Sequence, residues 1–153
     1  MTVFSEHGDY SIGTDGRILQ VFVTATLNSE MMARYSREMS ELADAMTGRP
    51  FASYIEYLTD AILMLEAIEK LRPGIQERQR KGLCAVAFNV SKSAAPSIVA
   101  AKSGELYDAL GLPWKSVQDY DAARPWLLEQ IDAAEKQVRP DRGTPEESGP
   151  EIS

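Results

Sequence analysis

The sequence predicts an α/β fold in which a mixed, mainly parallel β-sheet is opened by an N-terminal hairpin and carries about four helices. Three observations lead there. Branched and aromatic runs of strand length recur along the chain, the later ones alternate with segments of helical composition, and only the first two are joined by a tight turn. A chain of 153 residues can bury about 70% of the surface its unfolded form exposes. One domain over residues 1–138 can therefore build a core without disulfides or metal.

Tyr10 to Ala25 reads as the hairpin: YSIG, then TDGR with an Asp15-Gly16 pair suited to a primed turn, then ILQVFVTA. Asn28 or Ser29 can cap the helix that follows, in which Met32, Tyr35, Met39, Leu42 and Met46 recur at steps of three and four. This stripe reads as core facing the sheet, with an adaptable methionine-rich partner surface as the alternative. Gly48 and Pro50 stop the helix. Phe51 to Leu58 is the third strand, and LEAIEKL and IQERQRK have helical composition on either side of Pro73-Gly74, a pair expected to kink or split the helix.

LCAVAFN, Leu83 to Asn89, is the clearest buried strand. Its exit, VSKSAAPS, leads into a helix ending near Leu110, with Gly111 as the terminator. WKSVQ is a last short strand, after which Asp119 or Asp121 starts a helix through about Val138. The order is β-β-α-β-α-β-α-β-α, with right-handed crossovers. The stretch from Arg139 onward has three prolines, two glycines and no aromatic residue, so residues 139–153 are expected to form a disordered tail.

Composition bounds the function. The formal net charge of −7 opposes a large contact with phosphate backbones, which argues against nucleic acid. A single cysteine, Cys84, allows no intramolecular disulfide and suits a reducing compartment. The N-terminus lacks the pattern of a signal peptide and the apolar run AILML is too short to span a bilayer, so the cytoplasm is expected and stable membrane insertion is not.

Chemistry is sparse. The only histidine, His7, lies near the terminus, and Cys84 sits inside an apolar strand and reads as a small core residue, so no nucleophile has an evident base. Neither a metal-ligand cluster nor a glycine-rich phosphate loop is present, and no cofactor is expected. Ser91 and Ser93 precede a helix, where one of them can cap it or the turn can hold an anion. Lys70, Arg72, Arg78, Arg80 and Lys81 form a locally basic run that reads as a solvated helix face, with an acidic-partner or membrane-surface patch as the alternative. Glu56 is the group hardest to account for, because a carboxylate within a central strand must be paired or lie at the strand's end. Position puts it near the carboxyl edge of the sheet, where open parallel sheets place ligand crevices.

Three stretches resemble the STAS domains, in particular their SpoIIAA-like bacterial branch: KGLCAVAFNV, VQDYDAARPWL, and FASYIEYLTDAILMLEAIEKL with Glu56 standing where the family usually has an aspartate. The likeness runs from Tyr10 to about Ile131. It implies a non-catalytic regulatory module acting by docking, in a family whose switch is phosphorylation of a Ser or Thr in an Asp-Ser pair after the central strand. Counting along this chain brings that pair to Met64 and Leu65, which accept no phosphoryl group. The expected function is an interaction module without the usual phosphorylation switch, binding a protein partner or a small apolar ligand through Glu56, Thr59, Asp60, Ser91 and Ser93. A lipid or membrane-surface binding domain is the alternative, and a homodimer is left open.

Overall fold

The computed structural model describes residues 5–6, 10–24, 29–58, 68–93 and 95–143. Strands β1 (Ser5–Glu6), β2 (Tyr10–Asp15) and β3 (Ile18–Val23) come first, then helix α1 (Ser29–Met46) and strand β4 (Phe51–Tyr57). A 3-10 turn (Glu69–Leu71) opens helix α2 (Arg72–Lys81), followed by β5 (Leu83–Asn89), α3 (Pro96–Ala109), β6 (Trp114–Ser116) and α4 (Tyr120–Gly143). The six strands lie side by side in chain order. β1–β2 and β2–β3 are antiparallel, and β3 through β6 are parallel, which gives the expected mixed sheet.

Period-two alternation sorts the side chains between two cores. Leu19, Val21, Phe51, Ile55, Val86 and Phe88 face α1, α2 and α3, and the helices answer with Tyr35, Met39, Ile75, Val99 and Leu106. Ile18, Ala52, Tyr54, Ala85 and Ala87 face α4 alone, through Ala123, Leu127 and Ile131. Small residues on β4 and β5 let that single helix approach closely. With the strands in chain order, the three described helices that connect parallel strands pack on one face.

Several local expectations are corrected. The hairpin loop is Gly16-Arg17 rather than Asp15-Gly16, because Asp15 still pairs with Ile18 and Gly16 takes the positive φ of +60°. Arg17 then reaches the loop after α1, donating from Nη2 to the carbonyls of Met46 (2.6 Å) and Arg49 (2.8 Å) and from Nε to that of Pro50 (2.7 Å). Pro73-Gly74 splits the helical stretch rather than kinking it: a 3-10 turn (Glu69–Leu71) ends just before, and proline occupies the first turn of α2, where its missing N–H costs nothing. β1 was not evident, since two residues carry no periodicity. α4 continues past Val138 to Gly143, so the Arg139-Pro140 pair does not end it, and the remainder of the expected tail lies outside the described residues. Met32 is within α1, but its side chain lies outside them.

Candidate functional site

The register of the parallel strands places Phe22, Glu56 and Asn89 in one row near the carboxyl edge, on the face that α4 covers. Tyr54, two residues before Glu56 and on the same face, is fully buried and makes edge contacts with Phe22 (centroids 6.0 Å apart) and Tyr120 (5.0 Å). Its hydroxyl donates to Glu56 Oε1 at 2.7 Å, and Lys92 Nζ lies 3.5 Å from Glu56 Oε2. The carboxylate, with 14% of its side chain exposed, is thus held by one buried donor and one solvated cation. Of the two, the phenol is the stronger constraint, because Lys92 is 62% exposed and water screens its charge.

Ser91 and Ser93 lie next to this row but do not cap α3. The backbone N and Oγ of Ser91 donate to Asn89 Oδ1 at 3.0 and 2.6 Å, and Ser93 Oγ donates to the Val90 carbonyl at 2.7 Å. Both hydroxyls therefore serve an Asx-type turn leaving β5. The N-cap of α3 is Ala95, with no side-chain bond, and Pro96 in the first turn removes one donor that would need satisfying. At α4 the expected cap is present, with Asp119 Oδ1 accepting from the Ala122 amide at 2.8 Å. Thr59 and Asp60, like Met64 and Leu65, lie outside the described residues.

Among the described connections, neighbouring strands are left on opposite faces between β5, whose chain goes to α3, and β6, whose chain goes to α4. Such a switch point is where open α/β sheets form crevices. Here Asn89 spans it, donating from Nδ2 to the Gln118 carbonyl at 3.0 Å while its Oδ1 holds the Ser91 turn. Among the described residues, the polar groups at this switch point are bonded to one another. Two open clefts lie elsewhere. One, of about 440 Å³, is at the amino edge beside Arg49, Gly82 and Cys84, and one of about 380 Å³ lies between Trp114 and Trp126.

Ionisation follows from burial and these contacts. Burial first, then the hydrogen bond to Glu56, raises the Tyr54 phenol far above its ordinary value. Burial and the bond to Asp15 do the same to Tyr120. Asp15 is pushed below the usual carboxylate range by the Tyr120 hydroxyl (2.6 Å) and the Arg124 guanidinium (2.9 Å). Burial pushes the Cys84 thiol up to about 11. No group of three or more His, Cys, Asp and Glu among the described residues is arranged to hold a metal ion.

The basic run from Lys70 to Lys81 corrects a further expectation. Arg80 faces solvent, but Arg78 is only 3% exposed. The spacing Ile68, Leu71, Ile75, Arg78 is itself helical and points inward, a signal that a count of charges overlooks. Asn89, Tyr54 and Tyr120 were also missed as members of the edge cluster, because strand alternation marks them as core and does not show which hydroxyl or amide meets which carboxylate. The chain matches no family model, no curated protein and no solved structure. No helix among the described residues is long and apolar enough to cross a membrane.

Proposed function

We propose that the chain is a non-catalytic interaction module of the STAS, SpoIIAA-like type, docking a protein partner or small ligand at the carboxyl edge of its sheet. The observation that carries this reading is the occupied switch point. Asn89 and Ser91 fix the turn beside Glu56, so the described part of the edge presents a preset polar surface of Glu56, Lys92 and Ser91. Tyr54, the one group hydrogen-bonded to Glu56 from within the core, is a poor proton donor at neutral pH because its ionisation is pushed upward. In the STAS reading the phosphorylation switch is lost, since Met64 and Leu65 stand where its pair would be.

The test is turnover. Purified wild type and Glu56→Gln, incubated with generic ester, phosphomonoester and nucleotide substrates, should both show only the background rate. A wild-type turnover that Glu56→Gln abolishes would overturn the proposal.

A further inference from the structure

Arg78 is only 3% exposed, and its Nε and Nη1 are buried without a hydrogen-bond acceptor among the described residues, leaving Nη2 as the one nitrogen of the guanidinium not sealed off. A cation removed from water without an anion or acceptors is strongly unfavourable, and folded proteins pair such groups almost without exception. Its surroundings share one property. Tyr35 from α1, Tyr57 from the end of β4 and Tyr107 from α3 are buried in the same cluster, and all three are electrostatically coupled to Arg78. No hydrogen bond to a described residue governs any of these hydroxyls, whose ionisation is set by burial, by Arg78 and by neighbouring tyrosines. Four elements thus contribute a guanidinium and three phenols to one buried cluster, and no acceptor meets Arg78 Nε or Nη1 among the described residues. Gly74, one turn before Arg78, leaves room beside it, as a Cβ there would lie 3.3 Å from Nη1.

We propose that Arg78, with Tyr35, Tyr57 and Tyr107, forms an internal binding site for a small carboxylate with an apolar body. Charge selects the head group: one guanidinium and three neutral phenols balance a single negative charge, and a phosphate dianion would leave a second charge buried without a partner. The cluster around them selects the body, because Met39, Ile68 and Ile75 belong to it and offer no further polar group. This site lies on the face of the sheet opposite Glu56, so it stands or falls independently of docking at the carboxyl edge.

The experiment adds sodium octanoate, sodium acetate or inorganic phosphate to the whole chain and follows the arginine Nε resonances and the thermal midpoint. The Arg78 signal is assigned by its loss in Arg78→Met. Octanoate should move that signal and raise the midpoint with concentration, acetate should do so more weakly, and phosphate should do neither. Arg78→Met removes an uncompensated buried charge and should remain folded, yet it should show no response to octanoate. Tyr107→Phe should weaken octanoate binding by roughly ten- to a hundred-fold, the loss of a hydrogen bond to a charged group. The proposal is overturned by an Arg78 signal that ignores both carboxylates, by an undiminished response in Arg78→Met, or by a preference for phosphate. It is equally overturned if Asp60→Asn or Glu66→Gln moves the Arg78 signal without added ligand, because the anion would then come from the chain.

Discussion

Replacing Gly104 by alanine brings α3 against the indole of Trp114. A Cβ built on Gly104 would stand 2.5 Å from Cζ2, 2.8 Å from Cη2 and 3.0 Å from Cε2 of that ring, where carbon contacts are ordinarily about 3.5–4.0 Å. The ring must retreat by about 1 Å, and two contacts resist this: its stacking on Phe88 (centroids 5.4 Å apart) and the 2.8 Å bond from Nε1 to Asp108 Oδ1. Overpacking of this kind costs about 1–3 kcal/mol. Alanine in a helix interior returns about 1 kcal/mol over glycine. The contact is close and the ring pinned, so the cost should lie near the upper end and the net destabilisation near 1–2 kcal/mol, or roughly 2–8 °C in Tm. Urea unfolding followed by tryptophan fluorescence measures it. The decisive comparison is the same change in a Trp114→Leu background. There is no ring to strike there, so Gly104→Ala should become neutral or stabilising by up to about 1 kcal/mol, a coupling of about 1–3 kcal/mol between the two sites. Equal destabilisation in both backgrounds would refute the steric account.

Three further outcomes are expected. Arg17→Met should cost about 1.5–3 kcal/mol, the scale of hydrogen bonds from a charged donor, and should speed amide exchange in the last turn of α1, where the Met46 carbonyl loses its partner; an unchanged urea midpoint would show that water replaces the guanidinium without loss. Asp15 has its folded pKa lowered, so its contribution to stability is present above the ordinary carboxylate range and is lost as pH falls through it, whereas Tyr54 and Tyr120, both raised, contribute below pH 10 and lose that contribution as pH climbs beyond it. Thermal melts across pH should therefore fall at both ends, and Asp15→Asn should flatten the acid limb. At pH 8 the Cys84 thiol, raised from 9.0 to about 11, should hold about a hundredfold less thiolate than an unperturbed one, and because a more basic thiolate is also more nucleophilic, alkylation by iodoacetamide should be slower by roughly ten-fold or more, as intact mass will show.

Local pattern was enough to read most of the fold. Leu83 to Asn89 is legible as a strand because an unbroken apolar run flanked by turn residues suits a strand buried on both faces, and it forms with those bounds. The α1 stripe is legible because 3.6-residue periodicity and burial coincide, and Tyr35, Met39 and Met46 are all buried. Glu56 stood out as a strand carboxylate, and the alternation that exposed the problem also located it near the sheet's edge. These readings depend on neighbours within a few positions along the chain.

The partners of those groups depend on residues far apart in the chain, and no local pattern encodes them. Ser91 looks like a cap until the Asn89 side chain is seen to take both of its donors, and Asn89 is free to do so only because β6 brings Gln118 to its other end. Arg78 belongs to a basic run by composition, but helix geometry turns it inward while Arg80, two residues later, points out. Its distinctive surroundings come from α1, β4 and α3, whose tyrosines are 43, 21 and 29 residues away in sequence. Packing, not local pattern, decided that Arg78 shares a buried cluster with those tyrosines and that its Nε and Nη1 lie there without an acceptor among the described residues.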